Sequence, residues 1–371
     1  MQFAFEPQKT RANIRAGLPI IFMSQFSTRI VQWQRRAGRH DLPWQNTRDP
    51  YCVWLSEIML QQTQVATVIP YYERFLRQFP DIATLADADE DEVMRHWAGL
   101  GYYARARNLH NAAKQVVELH GGEFPHNVDD VLSLPGIGRS TAAAICAFSF
   151  GTRGAILDGN VKRVFARHFG VAGDVKSKPV EDALWKIARE MLPQKNIEAY
   201  TQGLMDLGAS LCGRREPACL LCPVQASCVA YNAGRIDELP GRGVKRETPH
   251  RETQMLVMID SGEVLLEKRP PAGIWGSLWS LPEVPIDTDV LNAARTRFGV
   301  MAGKTKSCEP FVHGFTHYSL TIHPVEIAVS KREPRAMEPG AVWLSFADAL
   351  EAALPAPVKK ILAAATKRQL A

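Results

Sequence analysis

The spacing of apolar and polar residues divides the chain into a helical part and a part that contains strands. Before about residue 253 the apolar positions follow the period of amphipathic helices, and no strand pattern is clear. Beyond that point, 254–259 and 263–269 are short apolar runs on either side of Asp260-Ser261-Gly262, as in a β-hairpin. The pattern predicts an all-α region followed by an α+β region.

Within the all-α region, helices are predicted where apolar residues recur at helical spacing, and 311–320 is predicted to turn into an alternating strand of the second region. The segment 1–23 has no clear periodicity and is predicted to be a poorly ordered extension. The predicted helices are 27–36, 53 onward, 70–79, 90–98, 104–119, 128–132, 141–147, a further pattern after Asp158, and 178–211.

The domain boundaries follow from a change in composition. A helical domain is predicted over 24–230, and 231–250, rich in Gly, Pro and charge, is predicted to be an interdomain linker. A second domain is predicted over 251–371.

The overall composition narrows the class of protein only slightly. The 371 residues are 46% hydrophobic and 22% charged, which is ordinary for a globular protein of two or three domains. The formal charge of +5 permits a polyanionic partner without demanding one. No apolar run approaches the ~20 residues of a membrane span, so a cytoplasmic protein with no membrane partner is expected.

A tight turn precedes an Ala-rich helix at Leu134-Pro135-Gly136-Ile137-Gly138. Glycines let another backbone approach the turn, and the following helix 141–147 points its positive end at it. Such an arrangement binds anions, and phosphate is the obvious candidate. An ordinary helix–turn–helix corner is the alternative interpretation.

Two carboxylates stand out from their surroundings. Asp158 lies on a short loop just ahead of a helical pattern, where an Asp is usually a helix cap. Glu57 lies in an apolar helix, where it could equally be a surface residue, and Gln61 follows at i+4 on the same face. Further amides at Gln62 and Gln64 would be costly in a buried helix, which favours a polar cleft.

Aromatic and basic residues are combined at 99–107, where Tyr102 and Tyr103 follow two glycines and precede Arg105 and Arg107. This pattern suits base stacking or wedging together with phosphate contact. Core packing of the two tyrosines is the alternative.

Four of the seven cysteines fall within a short segment, in the spacing C-x6-C-x2-C-x5-C. Four thiolates can hold a tetrahedral zinc or a [4Fe–4S] cluster. Zinc modules usually pair their ligands as two knuckles, and here only one close pair exists, so a cluster loop over 212–228 is favoured. Arg214 and Arg215, in the first interval, would place two cations at the surface. The four predicted ligands are Cys212, Cys219, Cys222 and Cys228.

The hairpin, the following Asp and the cysteine loop together resemble the helix-hairpin-helix base-excision DNA glycosylases. The cysteine spacing resembles that of the endonuclease III and MutY-type enzymes in particular. The resemblance implies that the hairpin amides hold a DNA phosphate and that the cofactor is a [4Fe–4S] cluster. The residues predicted to contact DNA are Gln61, Gln62, Tyr102, Arg105, Gly136, Gly138, Ser140, Arg214 and Arg215.

The second domain resembles a Nudix-type domain from its segment 273–282. The following segment, 287–299, lacks the R-E-x-x-E-E cluster that binds Mg²⁺ in Nudix hydrolases, so the fold without the hydrolase chemistry is expected. Over 24 to about 360 the chain therefore resembles the MutY-type adenine DNA glycosylases. By this resemblance Phe315, Thr316 and His317 contact the oxidised guanine opposite the adenine, although His317 could also be a core histidine.

The resemblance also implies the chemistry. Glu57 is expected to be the general acid, with a pKa raised by burial. Asp158 is expected to stay ionised near a helix N-terminus and to stabilise or attack the sugar, with Asn160 orienting it. Bifunctional relatives carry a Schiff-base lysine at the position of Ser140.

The expected protein is therefore a monofunctional, monomeric, nucleoid-associated enzyme that flips out and excises adenine from double-stranded DNA opposite 8-oxoguanine or guanine. The main alternative is a bifunctional endonuclease III-like glycosylase and lyase for oxidised pyrimidines, which Ser140 and the second domain disfavour. An inert lesion-binding protein would lack Glu57 or Asp158. A nucleotide pyrophosphohydrolase would need the missing carboxylates.

Overall fold

A computed structural model describes residues 20–241, 243, 248–315, 317–333 and 340–369. The helical region ends at Asn232. Within the described residues, the sheet strands all follow it. Among the described residues, the helical region contains twelve α-helices: α1 Ile20–Ala37, α2 Pro50–Met59, α3 Val65–Gln78, α4 Ile82–Asp87, α5 Glu90–Trp97, α6 Ala104–His120, α7 Val128–Ser133, α8 Arg139–Phe150, α9 Gly159–Phe169, α10 Lys178–Glu190, α11 Ile197–Ala209 and α12 Val229–Asn232.

Several predicted helix limits were wrong. Helix α1 already begins at Ile20, inside the predicted extension. Helix α3 includes Pro70 as an internal residue rather than beginning there. The predicted continuous helix 178–211 is two helices, separated by a turn in which Asn196 adopts a left-handed conformation. Pro193 lies in this turn and proline usually ends a helix, so the sequence did carry a signal for the break.

The second region is an α+β domain, as predicted. In its described residues it contains β1 His250–Asp260, β2 Glu263–Lys268, β3 Trp279–Ser280, β4 Glu283–Val284, α13 Val290–Phe298, β5 Val300–Ser307, β6 Phe311–Gly314, β7 Ser319–Arg332, β8 Ala341–Ser345, α14 Phe346–Glu351 and α15 Ala356–Gln369.

The strands form one mixed sheet with the order β3-β2-β1-β7-β5. The central pair, β1 and β7, is parallel and brings Leu256 beside Val325. Strands β4, β6 and β8 extend the sheet by pairing with β1, β7 and β2. The predicted hairpin is present, since β1 and β2 pair around Ser261 and Gly262, which both have positive φ.

The chain divides after Gln61, Glu118 and Lys245 into two compact units. The first unit contains α1, α2, the end of α6 and α7–α12, with a core built around Phe26, Phe165 and Tyr200. The second unit contains α3–α5, most of α6 and the α+β domain.

Polar contacts inside the second unit join its helices to its sheet domain. Lys268, at the end of β2, forms an ion pair with Asp91 of α5. The Arg107 guanidinium of α6 donates to the Gly276 carbonyl at 2.6 Å. Part of the predicted linker packs within the first unit, since Leu239 is buried and Gly241 forms a bridge with Asp174. No described helix is long and apolar enough to cross a membrane.

Candidate active site and DNA-binding elements

The predicted hairpin is formed by α7 and α8. Leu134 and Ile137 are buried and anchor the turn, whereas Gly136 and Gly138 are exposed. Gly136 has φ +77, a conformation that L side chains rarely adopt. Gly138 caps α8, and a Cβ at this position would meet no atom within 4 Å. An exposed turn therefore leads into the positive end of α8, as an anion site requires.

Ser140 links this hairpin to the candidate catalytic aspartate. Its hydroxyl oxygen accepts a hydrogen bond from the Leu157 N–H at 2.9 Å. Leu157 is buried and directly precedes Asp158. Ser140 thus fixes the position of the backbone that carries Asp158, a role that the sequence did not indicate.

Asp158 is the N-cap of α9, and its Oδ1 accepts from the Val161 N–H at 2.8 Å. Burial raises the pKa of the Asp158 carboxyl, while hydrogen bonds from Val161 and Asn160 and the charge of Arg163 oppose the rise. Burial thus works against the ionised Asp158 expected from the sequence, and the hydrogen bonds at the helix N-terminus stabilise its charged form.

Asn160 is hydrogen-bonded to Asp158. Its Oδ1 in turn accepts from the buried Arg163 guanidinium at 2.9 Å. Arg163 also donates to the Gly208 carbonyl at 2.6 Å and to the Cys212 carbonyl at 2.7 Å. One guanidinium therefore connects the turn that carries Asp158 with the start of the cysteine loop.

Gly208, in α11, allows this close packing. A Cβ at this position would lie 2.6 Å from the Asn160 Cβ and 3.1 Å from its Cα. Sequence reasoning missed both Gly208 and Arg163. The signal for Gly208 was an isolated glycine inside a helical pattern, which often marks a close backbone approach.

Glu57 lies in α2, which packs against α8. Asp49 caps the N-terminus of the helix. Trp54 and Leu55 are fully buried and anchor the helix in the core. Glu57 itself is half-buried and keeps some contact with solvent. Desolvation by the surrounding protein, together with repulsion from the Asp158 charge, raises the pKa of Glu57 to about 8.

The two carboxyls are therefore differentiated by their environments. Burial raises the pKa of both, but only Asp158 gains hydrogen bonds and a cation that stabilise its charged form. Asp158 is thus the first of the pair to lose its proton, and Glu57 keeps its proton near neutral pH. This is the combination that an acid and an anionic partner require.

The prediction for the glutamines was wrong in one respect. Helix α2 ends at Met59, so Gln61 lies in the following turn rather than one helical turn beyond Glu57. Gln62 has φ +58 and is exposed, as is Gln64. The amides therefore occupy an open turn, and they are not buried on a helix face.

The four cysteines line a single cavity between α9, α11 and the loop 212–228. Within the described chain, no three side chains of His, Cys, Asp or Glu converge closely enough to hold a single metal ion. Burial raises the pKa of Cys222 to about 12. Four thiols that line one cavity are a donor set that suits either a cluster or a zinc ion.

Basic residues flank this loop in two different ways. Arg167 is buried and donates to the Gly213 carbonyl at 2.6 Å and to the Leu239 carbonyl at 2.8 Å. Arg214 and Arg215 are exposed, as a phosphate contact requires. Arg167 therefore supports the loop from inside.

In the second unit, the segment 99–107, which begins with two closely spaced glycines, presents Tyr102 on the surface. Tyr102 has φ +50 and its side chain is 43% exposed. Arg105, only 8% exposed, donates to the Gly101 carbonyl at 3.0 Å and to the Thr63 hydroxyl at 3.1 Å. Burial lowers the pKa of Arg105 to about 10. Arg105 therefore braces the loop, and this placement does not offer the predicted phosphate contact.

The predicted lesion-reading residues lie in an aromatic cluster of the α+β domain. The Phe315 ring stacks on Tyr318 at 4.4 Å and lies 5.4 Å from Trp275. His317 is exposed, so the alternative of a core histidine is excluded. Thr316 lies outside the described residues. Trp275 and Tyr318 were missed from the sequence, because only the fold brings them beside Phe315.

No Nudix carboxylate cluster occurs on the described helix α13. Arg297 of this helix binds both carboxylate oxygens of Glu267 at 3.0 Å. The Glu267 carboxylate is thus paired with the Arg297 guanidinium of α13.

Comparison with known proteins defines the class. Residues 55–190 match the HhH-GPD superfamily base excision DNA repair protein family, and residues 254–364 match the NUDIX domain family. The fold and the site therefore define a helix-hairpin-helix base excision repair protein that carries a Nudix-like domain.

Characterised relatives narrow this class. The adenine DNA glycosylase of Buchnera aphidicola subsp. Baizongia pistaciae (strain Bp) is 36% identical over 338 residues, covering 91% of this chain and 95% of that protein. The adenine DNA glycosylase of Mus musculus is 31% identical and covers 91% of this chain and 77% of that protein. The chain belongs to the adenine DNA glycosylase family and is a DNA glycosylase, which confirms the resemblance found in the sequence.

Solved structures match the helical region. A thermostable thymine-DNA glycosylase is 30% identical, with a TM-score of 0.51, covering 57% of this chain and 97% of that chain. Endonuclease III in a non-covalent complex with DNA is 19% identical, with a TM-score of 0.50, covering 59% of this chain and 99% of that chain. The second likeness shows the fold alone.

The raised pKa of Glu57 predicts a pH dependence. A group with a pKa of about 8 donates its proton below that pH and loses it above. The single-turnover rate constant for base release should therefore fall about tenfold per pH unit on the alkaline side of the Glu57 pKa. Rapid-quench measurements across this range test the prediction. A rate that stays constant well above pH 8 would contradict the role of Glu57 as the acid.

Proposed function

We propose that this enzyme hydrolyses the N-glycosidic bond of adenine opposite 8-oxoguanine or guanine in double-stranded DNA and leaves an abasic site. The observation that supports the chemistry best is the pair of Glu57 and Asp158, two carboxyls with raised pKa values of which one is stabilised as an anion. Adenine is a poor leaving group, so its departure needs a proton on a ring nitrogen.

In the proposed reaction, the extruded adenine takes the proton of Glu57 as the bond to C1′ of the sugar breaks. The bonding electrons leave with the base, and the positive charge that develops on the sugar lies against the Asp158 carboxylate. Water then adds at C1′ and releases a proton, which restores Glu57. Asn160 and Ser140 hold Asp158 in place through the contacts described above.

Backbone amides and surface cations would hold the DNA. Gly136 and Gly138 offer backbone amides at the exposed end of α8, and Arg214 and Arg215 offer surface cations. The exposed Tyr102 ring, braced by Arg105, suits insertion into the base stack as the adenine leaves it.

We further propose that Cys212, Cys219, Cys222 and Cys228 hold a [4Fe–4S] cluster. When bound, the cluster would accept the four cysteine thiolates as iron ligands and so cross-link the loop 212–228. Its fit rests on the four thiols around one cavity and on Arg163 and Arg167, which hold the start of that loop through the Cys212 and Gly213 carbonyls.

One assay tests the reaction. An end-labelled duplex with adenine opposite 8-oxoguanine should yield an intact abasic strand that breaks only after alkali, because Ser140 cannot form a Schiff base. Borohydride should trap no protein–DNA adduct in the same mixture. Strand breakage without alkali, or efficient trapping, would indicate the bifunctional alternative. Release of an oxidised pyrimidine in place of adenine would overturn the proposal that adenine is the substrate base.

Recognition of the opposite base is proposed for the aromatic cluster around Phe315. Adenine is a normal base, so selection must come from the base opposite it. His317→Ala should lower the preference for 8-oxoguanine over guanine by about one to two decades, the value of one or two lost hydrogen bonds. Adenine release opposite guanine should change little.

The matched control for this variant is His323→Ala. His323 is another histidine of the same domain, on β7, and its ring contacts Glu252 at 3.0 Å. This variant should keep the normal preference. An unchanged preference in His317→Ala would mean that His317 does not read the lesion.

A further inference from the structure

One buried histidine lies beside the cysteine cavity and is not used by the chemistry proposed above. His168, near the end of α9, is 2% exposed and lines the same cavity as the four cysteines. It directly follows Arg167, whose carbonyl lies 3.6 Å from the Cys228 Sγ. His168 is therefore at the wall of the proposed cluster site.

Neither ring nitrogen of His168 has a hydrogen-bond partner among the described residues. A buried polar group without a partner is rare, because its desolvation is not compensated. The neighbouring Arg167 illustrates the usual outcome, since its guanidinium donates to the carbonyls of Gly213 and Leu239. The unpaired nitrogens of His168 therefore call for a partner that the polypeptide does not supply.

The rest of the environment of His168 is apolar. Its ring lies 4.6 Å from the Phe26 ring and 4.7 Å from the Phe169 ring. Burial, aided by the charge of Arg29, lowers the pKa of His168 to about 3. The imidazole is thus neutral near pH 7 and carries one N–H donor and one acceptor.

We propose that His168 donates its ring N–H to a sulfur atom of the iron–sulfur cluster or of its cysteine ligands. This inference rests on the cluster proposed above. An N–H group directed at a cluster sulfur stabilises the more negative, reduced state, and so it raises the reduction potential. His168 would then act as a residue that tunes the cluster and would not touch the DNA.

The direct test uses the wild-type protein labelled with ¹⁵N only in histidine. Iron and sulfide are assayed first, and protein without iron would overturn the cluster proposal itself. The cluster of the iron-loaded protein is then oxidised or reduced by one electron, which makes it paramagnetic. Pulsed electron paramagnetic resonance should detect a histidine ¹⁵N coupled to this cluster. Loaded protein without this coupling would overturn the role of His168, while the cluster proposal would stand.

A substitution provides the second readout. His168→Phe keeps an aromatic ring beside Phe26 and removes both nitrogens. The reduction potential should fall by about 59 mV, which is a tenfold change in the equilibrium constant of a one-electron couple. The ¹⁵N coupling should also disappear. An unchanged potential in the loaded variant would overturn the proposal.

His126→Phe is the matched control, because it makes the same change in the same unit. His126 is exposed and stacks on Phe150 at 4.3 Å, and it is not among the residues that line the cysteine cavity. This variant should keep both the potential and the coupling. If His168→Phe accumulates without iron, the labelled wild-type protein decides the question alone.

Discussion

Replacing Asp158 by Asn should reduce adenine release by about 10³-fold or more, equivalent to about 4 kcal/mol of transition-state stabilisation. The change removes the anion that is proposed to face the developing positive charge on the sugar. Asparagine is itself a good N-cap, so its side-chain oxygen can still accept from the Val161 N–H and α9 should persist. Single-turnover kinetics on a duplex with adenine opposite 8-oxoguanine measures the loss.

Binding of the same duplex to Asp158→Asn should stay within about threefold of the wild type, because phosphate contacts supply most of the affinity. The matched control is Asp289→Asn, which makes the same change at the N-cap of α13 in the α+β domain. This control should release adenine at the normal rate. Near-normal release by the Asp158 variant would remove Asp158 from the chemistry.

Replacing Cys219 by Ser should cause a loss of iron, stability and DNA binding together. Cluster binding energy is also folding energy, so one missing ligand destabilises the whole loop 212–228. The damage should extend further, because Arg163 and Arg167 would lose carbonyl acceptors for their buried guanidiniums. We expect a melting temperature lower by about 10 °C or more, which corresponds to ~4 kcal/mol.

Iron content, thermal melting and duplex binding measure these three effects. Cys308→Ser provides the matched control, since Cys308 lies in the α+β domain and is only partly buried. It should retain iron and melt normally. A Cys219 variant that keeps full iron content and full stability would show that Cys219 is not a ligand.

Much of this protein could be predicted from local patterns. The helical region, the hairpin, the cap position of Asp158 and the β1/β2 turn depend on residues close together in sequence, and all are present in the structure. The direction of the Glu57 pKa shift was also predictable, because a carboxyl in an apolar helix is desolvated.

What the sequence could not provide depends on contacts between distant segments. The bond from Leu157 to Ser140, the bonds from Arg163 to the Gly208 and Cys212 carbonyls, and the burial of Arg105 arise only when distant segments pack. The end of α2 before Gln61 was missed for a different reason. Residues with reasonable helix propensity, Leu60 and Gln61, follow Met59, and Gln62 then adopts a left-handed conformation.

The contact between Gly208 and Asn160 bears on how natural variants of this enzyme should be interpreted. Exchange of glycine for alanine in a helix usually passes as harmless and can even stabilise a protein. Here the added methyl group would press on Asn160, and the Gly208 carbonyl that Arg163 needs would be displaced with it. A strain carrying Gly208→Ala should therefore be classified with those that have lost a catalytic residue, although position 208 contributes no chemical group to the reaction.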